Sequence, residues 1–163
     1  VNCSQQMGVA GPWSDRLSHF RLAFTPSNGD ELQSEYLMDR RFAVQGIEIL
    51  RAMAGEIAPL IQVCEIRTMA GDDLWLSTNY GPDSVAFHFT WKPLQADVEA
   101  LLARMEAALA PLQPRPHWGK LFTLRRPQLE ELYPRFEDFS ALARRMDPQG
   151  KFANAFLTRT VLS

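Results

Sequence analysis

Residues Ser84 to Trp91 constrain this chain more than any other stretch, because they alternate without a break. Val85, Phe87 and Phe89 fall on one side of an extended backbone, and Ala86, His88 and Thr90 fall on the other. Such a strand needs an apolar layer over its aromatic side, while its second side carries groups able to bond water or a ligand.

The rest of the chain offers that layer as helical stripes. A helix capped by Asp39 is expected to run to near Pro59, with Ala43, Ile47, Leu50, Ala54 and Ile57 on one face. A second helix takes Pro93 in its first turn and ends at Pro111; Leu94, Val98, Leu101, Leu102, Met105 and Leu109 form its buried stripe. Shorter helices are expected over residues 128–133 and 136–146, divided by Pro134, with Pro148-Gln149-Gly150 ending the last. Ile61 to Met69 reads as a strand. Phe20, Leu22 and Phe24 mark another within residues 19–25, which turns through Pro26-Ser27-Asn28-Gly29-Asp30 and returns over residues 32–37. Residues 1–16, with Gly8, Gly11 and Pro12, read as a connecting segment, and residues 17–163 as a domain. This order predicts an α+β fold: an antiparallel sheet with helices packed on one face. Its other face is left uncovered, either solvated or serving as the wall of a binding site.

A length of 163 residues suits one domain with a real core, and a net charge of −2 gives no reason to expect nucleic acid or anionic lipid as partner. No apolar run is long enough for a bilayer and no leader pattern opens the chain. Cys3 and Cys64 fit neither a disulfide framework nor a metal spacing, so a reducing cytoplasmic location and no metal are expected. Cys64 should point toward the helices as a small core residue. Asp72-Asp73 lacks further ligands and reads as a turn. No glycine-rich phosphate loop is present, so nothing here cradles a nucleotide by itself.

Glu65 and Arg67 stand two apart on one strand, so their side chains share a face about 6–7 Å apart at the base. His88 and Thr90 bear the same relation. If the two strands pair, all four share one patch, either as a surface ion pair with two solvated neighbours or as part of a site. Ser34, Glu35 and Tyr36 either face that side or form cross-strand pairs, and His19 is an exposed strand residue or a ligand. In Arg115-Pro116-His117-Trp118-Gly119-Lys120, either Trp118 plugs the core with His117 and Lys120 in solvent, or the segment fixes a cation at a site.

Several motifs, taken in order, resemble the C-terminal domain of the alditol oxidases. These belong to the vanillyl-alcohol-oxidase type of FAD-linked oxidases, which also includes the aldonolactone oxidases. The motifs are Phe24-Thr25-Pro26, Glu31-Leu32-Gln33-Ser34-Glu35-Tyr36, Glu65-Ile66-Arg67, Asp73-Leu74-Trp75-Leu76-Ser77, His88-Phe89-Thr90-Trp91-Lys92, His117-Trp118-Gly119-Lys120, and residues 147–154. The resemblance implies a substrate pocket lined by Glu65, Arg67, His88, Thr90 and Lys120, set against a flavin. Arg67 and Lys120 would stabilise a developing alkoxide, with Lys120 also placed to take its proton. Glu65, His88 and Thr90 would hold hydroxyls. His117 and Asn154 are implied near the FAD, which a missing N-terminal domain would mainly hold. The implied partners are a polyol or sugar lactone, molecular oxygen and that missing domain. Residues 1–163 alone are expected to fold without turning over substrate. An aldonolactone oxidase is the nearer alternative, and a non-enzymatic α+β module that dimerises through its open sheet face is the other.

Overall fold

The computed structural model describes residue 5 and residues 9–16 and 30–162. The chain divides into two units, Val1–Glu31 and Leu32–Ser163. In the first, a single turn, α1 (Trp13–Arg16), is held by Arg16, whose Nε and Nη2 donate to the carbonyls of Val9 and Ala10. The expected strand over residues 19–25, its turn and His19 lie outside the described residues.

In the second unit the sheet consists of β1 (Leu32–Asp39), β2 (Ile61–Met69), β3 (Ser84–Trp91) and the short β4 (Arg115–Pro116). Their order is β2-β3-β1-β4, and each neighbouring pair is antiparallel. The alternating strand is therefore flanked on both sides, and all eight of its residues are buried. β1 forms its ladders with β3 and β4. A bulge at the start of β2 inserts Gln62, whose amide nitrogen donates to the Trp91 carbonyl.

Tyr36, Met38, Val85, Phe87, Phe89 and Trp91 point from the sheet into one core, against Val98, Leu101, Leu102, Met105 and Leu109 of the long helix. Burying each large side chain is worth about 1.5–3 kcal/mol, an upper figure since the unfolded chain is already part-collapsed. Phe89 and Trp91 stack at 5.0 Å, and the Trp91 indole N–H donates to the Ser34 hydroxyl at 3.0 Å. The α+β architecture with helices on one face is thus the one the alternation predicts.

The helix expected from Asp39 to Pro59 is broken into pieces. Asp39 does cap it, accepting the Arg41 N–H, but the first piece is a 3₁₀ turn (Arg40–Phe42). Next come α2 (Ala43–Ala52) and α3 (Ala54–Ile57), parted at Met53, whose ψ of 7° leaves the helical range. That break takes Ala54 off the stripe and leaves it exposed. Gly46 is the buried point of α2: a Cβ there would lie 2.7 Å from the Phe87 ring, so only glycine lets the helix come this close.

The second long helix, α4 (Gln95–Leu109), starts after Leu94, so Pro93 precedes it and does not occupy its first turn; Leu94 is exposed. α5 (Arg126–Leu132) and α6 (Phe136–Met146) follow, then α7 (Ala155–Leu157) and a closing π turn (Thr158–Leu162). Cys64 faces the helices as expected but is exposed, so it is not a core residue. The helices pack over β1 and β3, whereas β2 is an outer strand whose residues from Gln62 to Thr68 are all exposed. Among the described residues no helix is long and apolar enough to cross a membrane.

Candidate active site

The pairing that the sequence left open is present, with Glu65 directly opposite His88. On the other side of His88 stands Glu35 of β1, so Glu35, His88 and Glu65 lie abreast across three strands. Alternation then puts Arg67 and Thr90 on the same face, one pleat along. It also settles Ser34, Glu35 and Tyr36. Ser34 and Tyr36 turn into the core, where Tyr36 donates to the Glu106 carboxylate at 2.7 Å, and Glu35 turns to the polar face.

Lys120 comes from the segment after β4. This segment is fastened along β1 by backbone bonds from His117 N–H to the Glu35 carbonyl and from Leu121 N–H to the Gln33 carbonyl, both 2.9 Å. Trp118 turns the other way: its ring lies 5.3 Å from that of Tyr133, edge-on to Phe122, and its indole N–H donates to the Leu76 carbonyl. Both readings of the segment are therefore half met. Trp118 joins the core, while Lys120 sits among polar partners with its side chain only 15% exposed.

The Lys120 ammonium donates to Glu35 Oε2 at 2.5 Å and to His88 Nδ1 at 2.8 Å. Burial, with the positive charge of Lys120, pushes the His88 imidazole below its ordinary range, against the opposing pull of Glu35. His88 is thus neutral and accepts at Nδ1, which leaves its proton on Nε2, 3.4 Å from the Thr90 hydroxyl. Thr90 then accepts that contact, so its own hydroxyl hydrogen is not spent on His88. Burial would raise the Glu35 carboxyl, but the hydrogen bond and charge of Lys120, with the charge of Arg67, outweigh it and hold the group below the usual range.

Arg67 bridges two carboxylates. Its Nε and Nη2 reach Glu65 Oε2 at 3.1 and 2.8 Å, and Nη1 approaches Glu35 Oε1 at 3.4 Å. Arg67 and Glu65 are about half exposed, in contrast to Glu35 and His88 at 5% each. The polar face is therefore not the uncovered surface expected. It is closed over Glu35, His88 and Thr90, and reaches solvent along β2. Chemically this is a donor-rich patch, with two cations, a polarised His–Thr pair and two carboxylates, suited to hydroxyls and to an oxygen that gains negative charge.

His117 borders this cluster, whereas Asn154 stands apart from it. The His117 imidazole is half-buried, accepts the Gly119 N–H at Nδ1, and is held below its ordinary range by burial and by Lys120. Asn154 is exposed and caps α7 by accepting the Leu157 N–H at 2.8 Å. Asp72 builds the predicted turn, accepting from Leu74 N–H and the Ser77 hydroxyl. Among the described residues no group of histidine, cysteine or carboxylate side chains is arranged to hold a metal ion.

Residues 31–160 match the family model described as D-arabinono-1,4-lactone oxidase. The chain belongs to this family. It is 51% identical over 156 residues to alditol oxidase from Streptomyces sp., a match covering 96% of this chain and 38% of that protein. It is 30% identical over 133 residues to L-gulono-1,4-lactone dehydrogenase of Mycobacterium tuberculosis, covering 80% of this chain and 30% of that protein. A third relative, L-gulonolactone oxidase of Bos taurus, is 34% identical over 98 residues, or 58% of this chain and 22% of that protein. The lactone oxidase family is one of oxidoreductases and implies a flavin cofactor. The chain thus spans under two fifths of the alditol oxidase that it matches nearly end to end.

Two buried carboxylates, Glu35 and Glu106, have partners that the strand and helix periods do not announce. Glu35 reads in the sequence as a residue that either faces the polar side or forms a cross-strand pair; the pairing of β1 with Ser84–Trp91 sets it opposite His88. Glu106 lies within the apolar stripe of α4, four residues after Leu102 and three before Leu109. A carboxylate at that spacing was the available signal.

Proposed function

We propose that this chain is the substrate-binding part of an FAD-linked oxidase that acts on the terminal hydroxyl of a polyol, with residues 1–16 as a connecting segment and 17–163 as the working domain. The observation that carries the reading is the convergence of Lys120 and Arg67, from separate parts of the chain, on one face of the sheet beside His88 and Thr90. The 51% identity to an alditol oxidase supports polyol as the substrate class.

A polyol is neutral, and a hydride leaves its terminal carbon more readily as the hydroxyl gives up its proton, which Lys120 takes as it passes one of its own to the neutral His88 at Nδ1, 2.8 Å away. Lys120 and Arg67 present fixed positive charge where that oxygen becomes anionic, already oriented by Glu35 and Glu65 and so needing little rearrangement. Thr90, polarised by His88, and the exposed edge of Glu65 hold neighbouring hydroxyls and so fix which carbon is presented. When bound, FAD would supply the hydride-accepting and oxygen-reducing chemistry, with peroxide as the product. The residues present fit its ring better than its nucleotide: the cluster opens along β2, His117 stands beside Lys120, and no phosphate-cradling loop occurs in the sequence. His117 and Asn154 are the residues of this chain assigned to the flavin, the nucleotide being held by a region outside residues 1–163.

The test uses a full-length protein that contains this chain together with an FAD-binding region. Xylitol added without oxygen should bleach the yellow flavin, and air should restore the colour with release of peroxide. Bleaching by L-gulono-1,4-lactone but not by xylitol would move the assignment to the lactone substrates named for the other relatives. A protein that stays colourless with added FAD would remove the reading.

A further inference from the structure

We propose that Glu35 is the positioning residue of this site, the group that holds Lys120 and Arg67 in their working places although it is itself shut away from the substrate. The inference rests on the reading of Lys120 as a residue that meets the substrate, and goes beyond it.

The two oxygens of Glu35 are divided between cations that arrive from different directions. Oε2 accepts from Lys120, on the segment after β4, and Oε1 faces Arg67, two strands away. Two cations brought to one small patch repel each other, and a carboxylate shared between them offsets the repulsion. Arg67 has a second anchor in Glu65, but among the described residues the anchors of Lys120 are Glu35 and neutral His88, of which Glu35 brings the charge. A lysine side chain has four rotatable bonds, so without that anchor its ammonium would spread over several positions.

Location favours this role over direct contact with substrate. Glu35 is buried and has each oxygen already engaged by a cation, Oε2 by Lys120 and Oε1 by Arg67, whereas Arg67 and Glu65 reach solvent. The backbone makes the same connection: the Glu35 carbonyl accepts from His117 N–H, so the residue that anchors the Lys120 ammonium also anchors its loop. Among the described residues, the charged and titratable groups facing Glu35 are Arg67 and Glu65 from β2, His88 from β3, and Lys120 and His117 from the loop.

The experiment follows flavin bleaching by xylitol in rapid-mixing anaerobic runs on the full-length flavoprotein, between about pH 5 and 8, for the unmodified protein, K120A, E35Q and E35D. For E35Q the limiting rate should fall on the order of 10²-fold, the effect of misplacing a reacting group by about an ångström. Half-saturation by xylitol should stay within about threefold, because Glu35 does not touch the substrate. The acid limb of the profile should move to lower pH, since the negative charge that favours protonation of His88 is gone. E35D, with its charge withdrawn by one carbon, should fall between the two. If K120A bleaches like the unmodified protein, the functional reading fails and takes this proposal with it. If K120A is inert but E35Q keeps its rate and pH profile, the reading survives and the positioning role is overturned. Should E35Q not fold, E35D decides: a folded protein with undiminished rate overturns the proposal, and a slowed one supports it.

Discussion

The ammonium of Lys120 lies 2.5 Å from the Glu35 carboxylate, and both groups are withdrawn from solvent. Removing one partner of such a pair leaves a charge that is costly to keep buried, whereas removing both charges is far milder. Lys120→Ala should therefore destabilise the fold by about 3 kcal/mol. Lys120→Ala with Glu35→Gln should recover more than half of that loss while leaving turnover abolished. Urea unfolding of the two single variants and the double variant forms the cycle that measures this. Strict additivity of the two losses would show that the pair is not coupled.

The same cluster sets a pH dependence. His88 and His117 are held below the ordinary histidine value of 6.5 by burial and by Lys120. Their unfolded forms therefore take up protons first as pH falls. A group depressed in the folded state contributes stability that is complete above its unfolded value and lost as pH falls toward its folded value. Stability should thus begin to drop below about pH 6.5. A further drop should follow below the ordinary glutamate value of 4.5, where Glu35, also depressed on balance, resists protonation in the fold. Urea midpoints measured from pH 8 to pH 4 should show this decline, and Glu35→Gln should flatten its lower part. A midpoint constant across that range would contradict the assignment of neutral histidines.

The glycines of the α2–α3 region separate a packing requirement from a propensity. A Cβ on Gly46 would come within 2.7 Å of the Phe87 ring, so Gly46→Ala must push α2 off the sheet and should cost about 1–3 kcal/mol. Gly55, in α3, has among the described residues no atom beyond its chain neighbours and its own helix backbone within 4 Å of where its Cβ would lie. There the helix preference of alanine acts alone, and Gly55→Ala should stabilise by roughly 0.5–1 kcal/mol. Thermal melting of both variants checks the pair. The opposite order would mean that α2 has room to shift.

How far the sequence alone reached follows from the range of each signal. β2, β3 and α6 were legible to the residue, because two- and 3.6-residue periods and flanking prolines act locally. The shared face of Glu65, Arg67, His88 and Thr90 was legible too, since alternation fixes direction once two strands pair. Glu35 and Glu106 were not, because their meaning depends on neighbours 85 and 70 residues away in sequence, at Lys120 and Tyr36. Cys64 was misjudged for a related reason: facing the helices and being covered by them are different things on an outer strand. The break at Met53 has no proline to announce it.

Glu106 gives the last prediction. Its carboxylate, 4% exposed inside the apolar stripe of α4, accepts from the Tyr36 hydroxyl at 2.7 Å, the Thr123 N–H at 2.8 Å and the Thr123 hydroxyl. It therefore clamps β1 to the chain just after Lys120, from the opposite side of the sheet to Glu35. Glu106→Ala would strand a buried tyrosine hydroxyl and a backbone N–H, and should cost about 3 kcal/mol. Glu106→Gln keeps an acceptor and should cost about 1 kcal/mol. If the clamp fixes the loop, amide hydrogen exchange at Leu121 and Thr123 should speed up in Glu106→Ala beyond what the global loss of stability accounts for. Exchange that rises equally throughout the sheet would instead make Glu106 a core residue with no special hold on the Lys120 segment.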